Sequence, residues 1–254
     1  MDIMGAGDLI DRGSQFYRLH LTAVLKIVTL NLAAGLVATA VETLAVWLYP
    51  NGSTVATIAS VVASVVAIAV GVIAFTMLVR LVTNGIKGPT TTKTGFQASL
   101  ERFWPTTFGV VGSGVLIFLG LVAFILPGVV FWTWFAFVPV VAALADASGW
   151  RIFSLSRELV AGRFLAILWR LAVPLCFFSL LQLVLVLIAI LVLQGGIRGI
   201  WSIELMVSGA PLWFLLFVNG TTETVRQLLS PLFTIALTIL YLTIKEKGVA
   251  HPTN

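Results

Sequence analysis

The chain is dominated by long apolar runs with almost no charge: Leu21 to Tyr49, Val55 to Val82, Thr106 to Leu126, Val129 to Ala145, Phe164 to Leu193 and Val225 to Ile244. About 18 or more such residues in helical form cross a bilayer core of about 30 Å. The expected fold is all-α, a polytopic membrane bundle of about six transmembrane helices.

Composition points the same way. Of 254 residues, 59% are hydrophobic and 10% charged, whereas soluble domains carry about 25% charged residues. So few charges cannot cover a water-facing surface, and residues 1–254 read as a single integral membrane domain. The net charge of +5 does not imply nucleic acid as a partner, because the cations stand at the ends of the apolar runs, as topology demands. The partner implied is the lipid bilayer, with other membrane subunits as further candidates. Cys176 is the one cysteine, which excludes a disulfide within the chain. The opening MDIMGAGDLIDRG lacks an apolar region before a small-residue cleavage site, so the first span is expected to direct targeting.

Three amphipathic stretches precede apolar hairpins. Residues 6–20 set Leu9, Ile10, Phe16 and Tyr17 among Asp8, Asp11, Arg12 and Arg18. Residues 94–104 and 148–163 follow the same design, and all three are expected to be interfacial helices. The chain then reads as three units, 6–82, 94–146 and 148–244, in a threefold repeat of helix plus hairpin. In the second span, Ala56, Ser60, Ala63, Ser64, Ala67, Gly71 and Ala74 form a stripe of small residues that admits a neighbouring helix. The linker sequence GPTTTKTG lacks the second glycine and the preceding strand of a phosphate loop. Leu205 to Val218, interrupted by Gly209 and Pro211, is read as interfacial or re-entrant. Leu126-Pro127-Gly128 is expected to be the tight turn between the third and fourth spans, with proline removing a donor and glycine supplying positive φ. Pro139 is expected to break the fourth span near Trp132 and Trp134.

Orientation follows from the cations. With a cytoplasmic N-terminus, Arg12, Arg18, Lys26, Arg80, Lys87, Lys93, Arg102, Arg151, Arg157, Arg163, Arg170, Lys245 and Lys247 fall inside, and only Arg198 and Arg226 outside. The positive-inside rule then places both termini in the cytoplasm of a multi-pass cell-membrane protein.

The roster of catalytic groups is thin. His20 and His251 share no metal-ligand or base spacing with Asp or Glu, so no catalytic residue, metal site or cofactor site is assigned. The intramembrane polar candidates are Glu42, Lys26, Arg80, Asp146 and Arg170. Glu42 lies about two turns inside its span and must be paired, hydrated or protonated. Two readings stand for it: a structural pair with Arg198 or Arg226, or a proton or cation ligand in an internal cavity. Lys26 and Arg170 are expected to snorkel to headgroups. Arg80 and Asp146 are expected to form a salt bridge at inner helix ends. Asn51-Gly52-Ser53 and Asn219-Gly220-Thr221 match the glycosylation acceptor pattern, but both are read as glycine-containing turns.

The order LIDRGSQFYRLHLTAVL, then FILPGVVFWTWFAFVPVVAAL with SLSRELVAGRFLAILWRL, then ILYLTIKEKG resembles the membrane domain fused to some glycerophosphoryl diester phosphodiesterases. It also resembles that domain's stand-alone prokaryotic relatives of unknown function. The likeness spans most of the chain, and Leu126-Pro127-Gly128 and Ser156 to Arg163 are its most specific parts. It implies six helices, a membrane location and no catalytic residues in this part, since the soluble barrel with its acidic ligands is absent. The leading functional expectation is a non-enzymatic scaffold, accessory subunit or lipid-interacting module. A small permease or flippase-like transporter is the alternative, and a membrane-embedded enzyme comes third.

Overall fold

The structure, a computed structural model, describes residues 4–49, 52–87, 95–145, 147–193 and 212–249. Among these residues it is all-α. The helices are α1 (Ala6–Leu19), α2 (Leu21–Leu48), α3 (Thr54–Lys87), α4 (Gly95–Glu101), α5 (Phe103–Ala123), α6 (Ile125–Phe135), α7 (Val138–Leu144), α8 (Arg151–Val160), α9 (Phe164–Leu193) and α10 (Leu212–Val249). Six segments are long and apolar enough to cross a membrane: α2, α3, α5, α6 with α7, α9 and α10. The exposed faces of these helices are apolar; Val61, Val62, Val65 and Val66 on α3 are each more than half exposed. Such faces suit lipid, not water, and the chain is a multi-pass integral membrane protein.

The fold divides into two units: Met1–Val24 with Val72–Cys176 and Pro231–Asn254, and Leu25–Gly71 with Phe177–Ser230. The first unit has an apolar centre built around α7, where Val138, Val140, Val141, Ala142 and Ala143 are essentially inaccessible. A β-carbon on Gly109 of α5 would stand 3.1 Å from Val138 and 3.3 Å from Ala142, and Phe137 meets Tyr241 of α10. Helix α1 lays Leu9, Gly13 and Phe16 inward, with Gly13 facing Leu232 and Ala236 of α10 and Phe16 against Gly85 of α3. Helix α8 buries Ile152, Phe153, Ser156 and Val160 and exposes Arg151, Arg157 and Glu158. Its ends are set by Gly149 and Gly162, at φ +60° and +73°, values that side chains rarely adopt.

The turn between the third and fourth spans differs from expectation. The chain reverses at Phe124, extended at φ −170° and ψ 157°, and Pro127 and Gly128 lie inside the first turns of α6. Proline is tolerated there because the first amides of a helix have no intrahelical acceptor to lose. Gly128 has no positive φ. Its role is close approach: a β-carbon at 128 would lie 3.0 Å from the Leu121 Cα, and one at Gly120 would lie 3.1 Å from the Gly128 Cα. The antiparallel α5–α6 hairpin therefore stands, held by a glycine contact instead of a glycine turn.

Pro139 does break the fourth span, at the second residue of α7 after a turn at 136–137. Beside the break, the carbonyl of Trp134 accepts a hydrogen bond from the buried Ser156 hydroxyl at 2.7 Å. Arg157 stacks on the Trp134 ring at 4.9 Å.

The last span is also longer than expected. Residues 212–224 are not a separate segment; they continue directly into the span as one helix, with Pro231 inside it. Of the Leu205–Val218 segment, residues 205–211 lie outside the described residues. Asn219-Gly220-Thr221 is likewise helical and not a turn.

Candidate functional site

The second unit buries a carboxylate and an amide, whereas the buried polar residues described in the first are threonines and serines. Its buried side chains among the described residues are Ile27, Val28, Ala38 and Phe178, together with Thr43, Glu223 and Gln227. Thr43 comes from α2; Glu223 and Gln227 come from the front half of α10, where Asn219, Glu223, Gln227 and Ser230 recur at steps of four, four and three. These residues share one helix face. On α2, Asn31, Gly35 and Thr43 share a face in the same way.

The two helices pair antiparallel. Asn31 bonds Gln227, Gly35 packs against Glu223, and the Asn219 amide donates to the Thr43 hydroxyl at 3.0 Å. Gly35 is needed sterically, because a β-carbon at 35 would run into the Glu223 carboxylate. Glu223 Oε1 accepts from Gln227 Nε2 at 2.6 Å and from Arg226 Nη2 at 2.8 Å, and Oε2 lies 2.7 Å from the same Arg226 nitrogen. Because the carboxylate only accepts, Gln227 must turn its NH2 toward Glu223 and its carbonyl toward Asn31. Asn31 then donates, and its own carbonyl points on toward Gly71 of α3. Buried charge of this kind is tolerated only when it is paired and hydrogen-bonded.

These groups line a cavity of about 310 Å³ bounded by Asn31, Gly35, Ala67, Ile68, Gly71, Glu223, Arg226, Gln227 and Ser230. The small residues of α3 supply the space. In this unit Ala56, Ser60, Ala63, Ser64, Ala67 and Gly71 are half-buried, as are Ala69 and Val70, while Val55, Ile58, Val61, Val62, Val65, Val66 and Ile68 are exposed. The expected stripe of small residues is thus the inner face of α3. Arg226 is more than half exposed while Glu223 is 9% exposed, so the pair presents its cation at the mouth and its anion inside.

The residues singled out in the sequence fall elsewhere. Glu42 is exposed and accepts from the Ser64 hydroxyl at 2.7 Å. It is not paired with Arg226, which is engaged by Glu223 three residues away on its own helix, and Arg198 lies outside the described residues. Lys26 is exposed on α2, as a stem reaching toward headgroups requires. Arg170 folds back instead, donating from Nε to the Met4 carbonyl at 2.6 Å and from Nη1 to the Ala166 carbonyl at 2.7 Å. Arg80 reaches the Ala143 carbonyl at 3.4 Å, and Asp146, its expected partner, lies outside the described residues. The Arg80 Nε and the Thr106 and Thr107 hydroxyls are buried without a hydrogen-bond partner. His20 stacks on Phe16 at 4.2 Å. Cys176 is a free, exposed thiol.

Among the described residues, no three His, Cys, Asp or Glu side chains gather as a metal site would require. No family model, curated protein or solved structure matches the chain.

Proposed function

We propose that this protein is a membrane permease of the small-solute or flippase-like class and that the cleft between α2, α3 and α10 is its site. The observation that carries the reading is the cavity lined by Asn31, Glu223, Arg226 and Gln227 within helices of membrane-crossing length. Ionisable groups inside membrane segments are costly and mark substrate or ion pathways. A scaffold has no need of a buried carboxylate whose partners leave space beside it. The test uses single cysteines in a Cys176→Ser background. Ala67→Cys, on the cleft wall, is expected to react with a membrane-impermeant thiol reagent. Val66→Cys, on the exposed apolar face, is expected to stay unreacted in the bilayer. If both positions are inert, the cleft is dry and the permease reading falls.

A second reading, a lipid-interacting module, draws on α8. This helix exposes Trp150, Arg151 and Arg157 beside its buried face, and each basic residue near an anionic surface is worth about 1 kcal/mol. We further propose that the protein is a cell-membrane protein with both termini cytoplasmic. Membership of the phosphodiesterase-associated membrane-domain family is proposed on the motifs quoted above. The threefold repeat is proposed on the element order, in which one short helix precedes two long segments three times.

A further inference from the structure

We infer that the cleft of the second unit takes a zwitterion, a group carrying one ammonium and one acidic function with no net charge. The inference rests on the permease reading and names its substrate class.

The argument begins with charge balance. Glu223 and Arg226 already neutralise each other, with the guanidinium nitrogen 2.7 Å from Oε2 and 2.8 Å from Oε1. An anionic ligand that drew Arg226 away would leave the Glu223 carboxylate buried and unpaired. A cationic ligand that took Glu223 would leave the Arg226 guanidinium at the mouth without its counter-ion. Either loss is heavily penalised where water is scarce. A zwitterion avoids both: its acidic group meets Arg226 and its ammonium meets Glu223, so an internal ion pair is exchanged for two external ones.

The remaining groups fit the same class. Only the Nη2 nitrogen of Arg226 is engaged by Glu223, and a guanidinium carries five N–H donors in all, so donors remain for a carboxylate, sulfonate or phosphate. The Asn31 carbonyl, made more basic by the amide relay that runs from Glu223 through Gln227, is an acceptor facing the cavity and suits an ammonium N–H. The exposure gradient sets an orientation, with the acidic group at the mouth beside Arg226 and the ammonium deeper beside Glu223 and Asn31. A cavity of about 310 Å³ stands at the small end of ligand sites. Both a free amino acid and an ethanolamine headgroup meet this chemistry.

The test measures labelling of Ala67→Cys (in Cys176→Ser) in nanodiscs of phosphatidylglycerol. Taurine or β-alanine is expected to slow labelling. At about nine times its Kd a ligand leaves about a tenth of the sites open, so the rate falls about tenfold. Acetate, ethylammonium and glycerol at equal concentration are expected to have no such effect. In a second arm, phosphatidylethanolamine replaces part of the phosphatidylglycerol with no solute added. Protection in the first arm identifies a free solute as the source, and protection in the second identifies a headgroup. Arg226→Gln is expected to abolish protection by zwitterions and admit ethylammonium. The exchanged pair Glu223→Arg with Arg226→Glu, which keeps neutrality, guards against simple misfolding and is expected to restore the zwitterion preference. If Ala67→Cys labels but glycerol, acetate or ethylammonium protects as well as taurine, or nothing protects in either arm, the zwitterion inference is overturned while the hydrated cleft survives. If Ala67→Cys does not label at all, the permease reading itself has failed.

Discussion

Replacing Gly128 by alanine tests the α5–α6 contact most directly. The added methyl would lie 2.6 Å from the Leu121 Cγ and 3.0 Å from the Leu121 Cα. The side chain can rotate aside; the Cα can move only with α5. Overpacking that forces backbone to shift costs about 1–3 kcal/mol. Against this, removing a glycine from a helix returns about 1 kcal/mol of backbone entropy. Gly114 supplies the control, because it lies on α5 with nothing within 4 Å of its missing β-carbon. Gly114→Ala should therefore show the helical gain alone. The predicted quantity is the difference between the two variants, about 1–3 kcal/mol, in which the helical terms cancel. Reversible denaturant unfolding in mixed micelles, followed by circular dichroism, measures it. Gly120→Ala meets Phe131 at 2.8 Å and the Gly128 Cα at 3.1 Å, so it presses on the same crossing. The double variant should cost less than the sum of the singles, since helices already pushed apart accommodate the second methyl. Equal stability of Gly128→Ala and Gly114→Ala would refute the close-approach account.

Ser156→Ala leaves the Trp134 carbonyl without its donor and should lower stability by about 1–3 kcal/mol. Ser154→Ala, exposed and bonded only to the Arg151 carbonyl of its own helix, should change it by less than about 0.5 kcal/mol in the same unfolding assay. For topology, Ser53→Cys should label from outside intact cells and Gln97→Cys only after permeabilisation; labelling of both from outside would exclude cytoplasmic termini joined by six spans.

The spans were legible because hydropathy and length decide them almost alone: α2, α5 and α9 begin and end within about three residues of the apolar runs that announced them. The small-residue stripe of α3 was legible for the same kind of reason, a periodicity of residue size. The turn was misplaced because proline and glycine were read for their usual turn chemistry. Phe124 carries no turn signal at all, since extended backbone is open to any residue, and the Gly120–Gly128 contact is a long-range fact. The front of α10 was missed because Asn219, Glu223 and Gln227 lower local hydropathy. Paired across to Thr43, Gly35 and Asn31, they cost the helix little, and tertiary pairing overrides the average. Their spacing of four, matched by the spacing on α2, was the signal that could have found the site. Glu42 stands out in the sequence because its neighbours are mostly apolar; isolation in sequence does not show which carboxylate a cavity surrounds.

The bond from Ser156 to Trp134 also bears on the order in which the chain is made. The fourth span reaches the membrane before the side-chain donor to its Trp134 carbonyl exists, since Ser156 lies 22 residues further on. At about 5–20 residues per second the ribosome needs about one to four seconds to supply it. During that interval the break at Pro139 must be hydrated or held by the insertion machinery, so the fourth span cannot settle before α8 has been synthesised and docked. A nascent chain arrested before Ser156 should therefore hold its fourth span in a state that is still exchangeable with water, and one arrested after α8 has emerged should not.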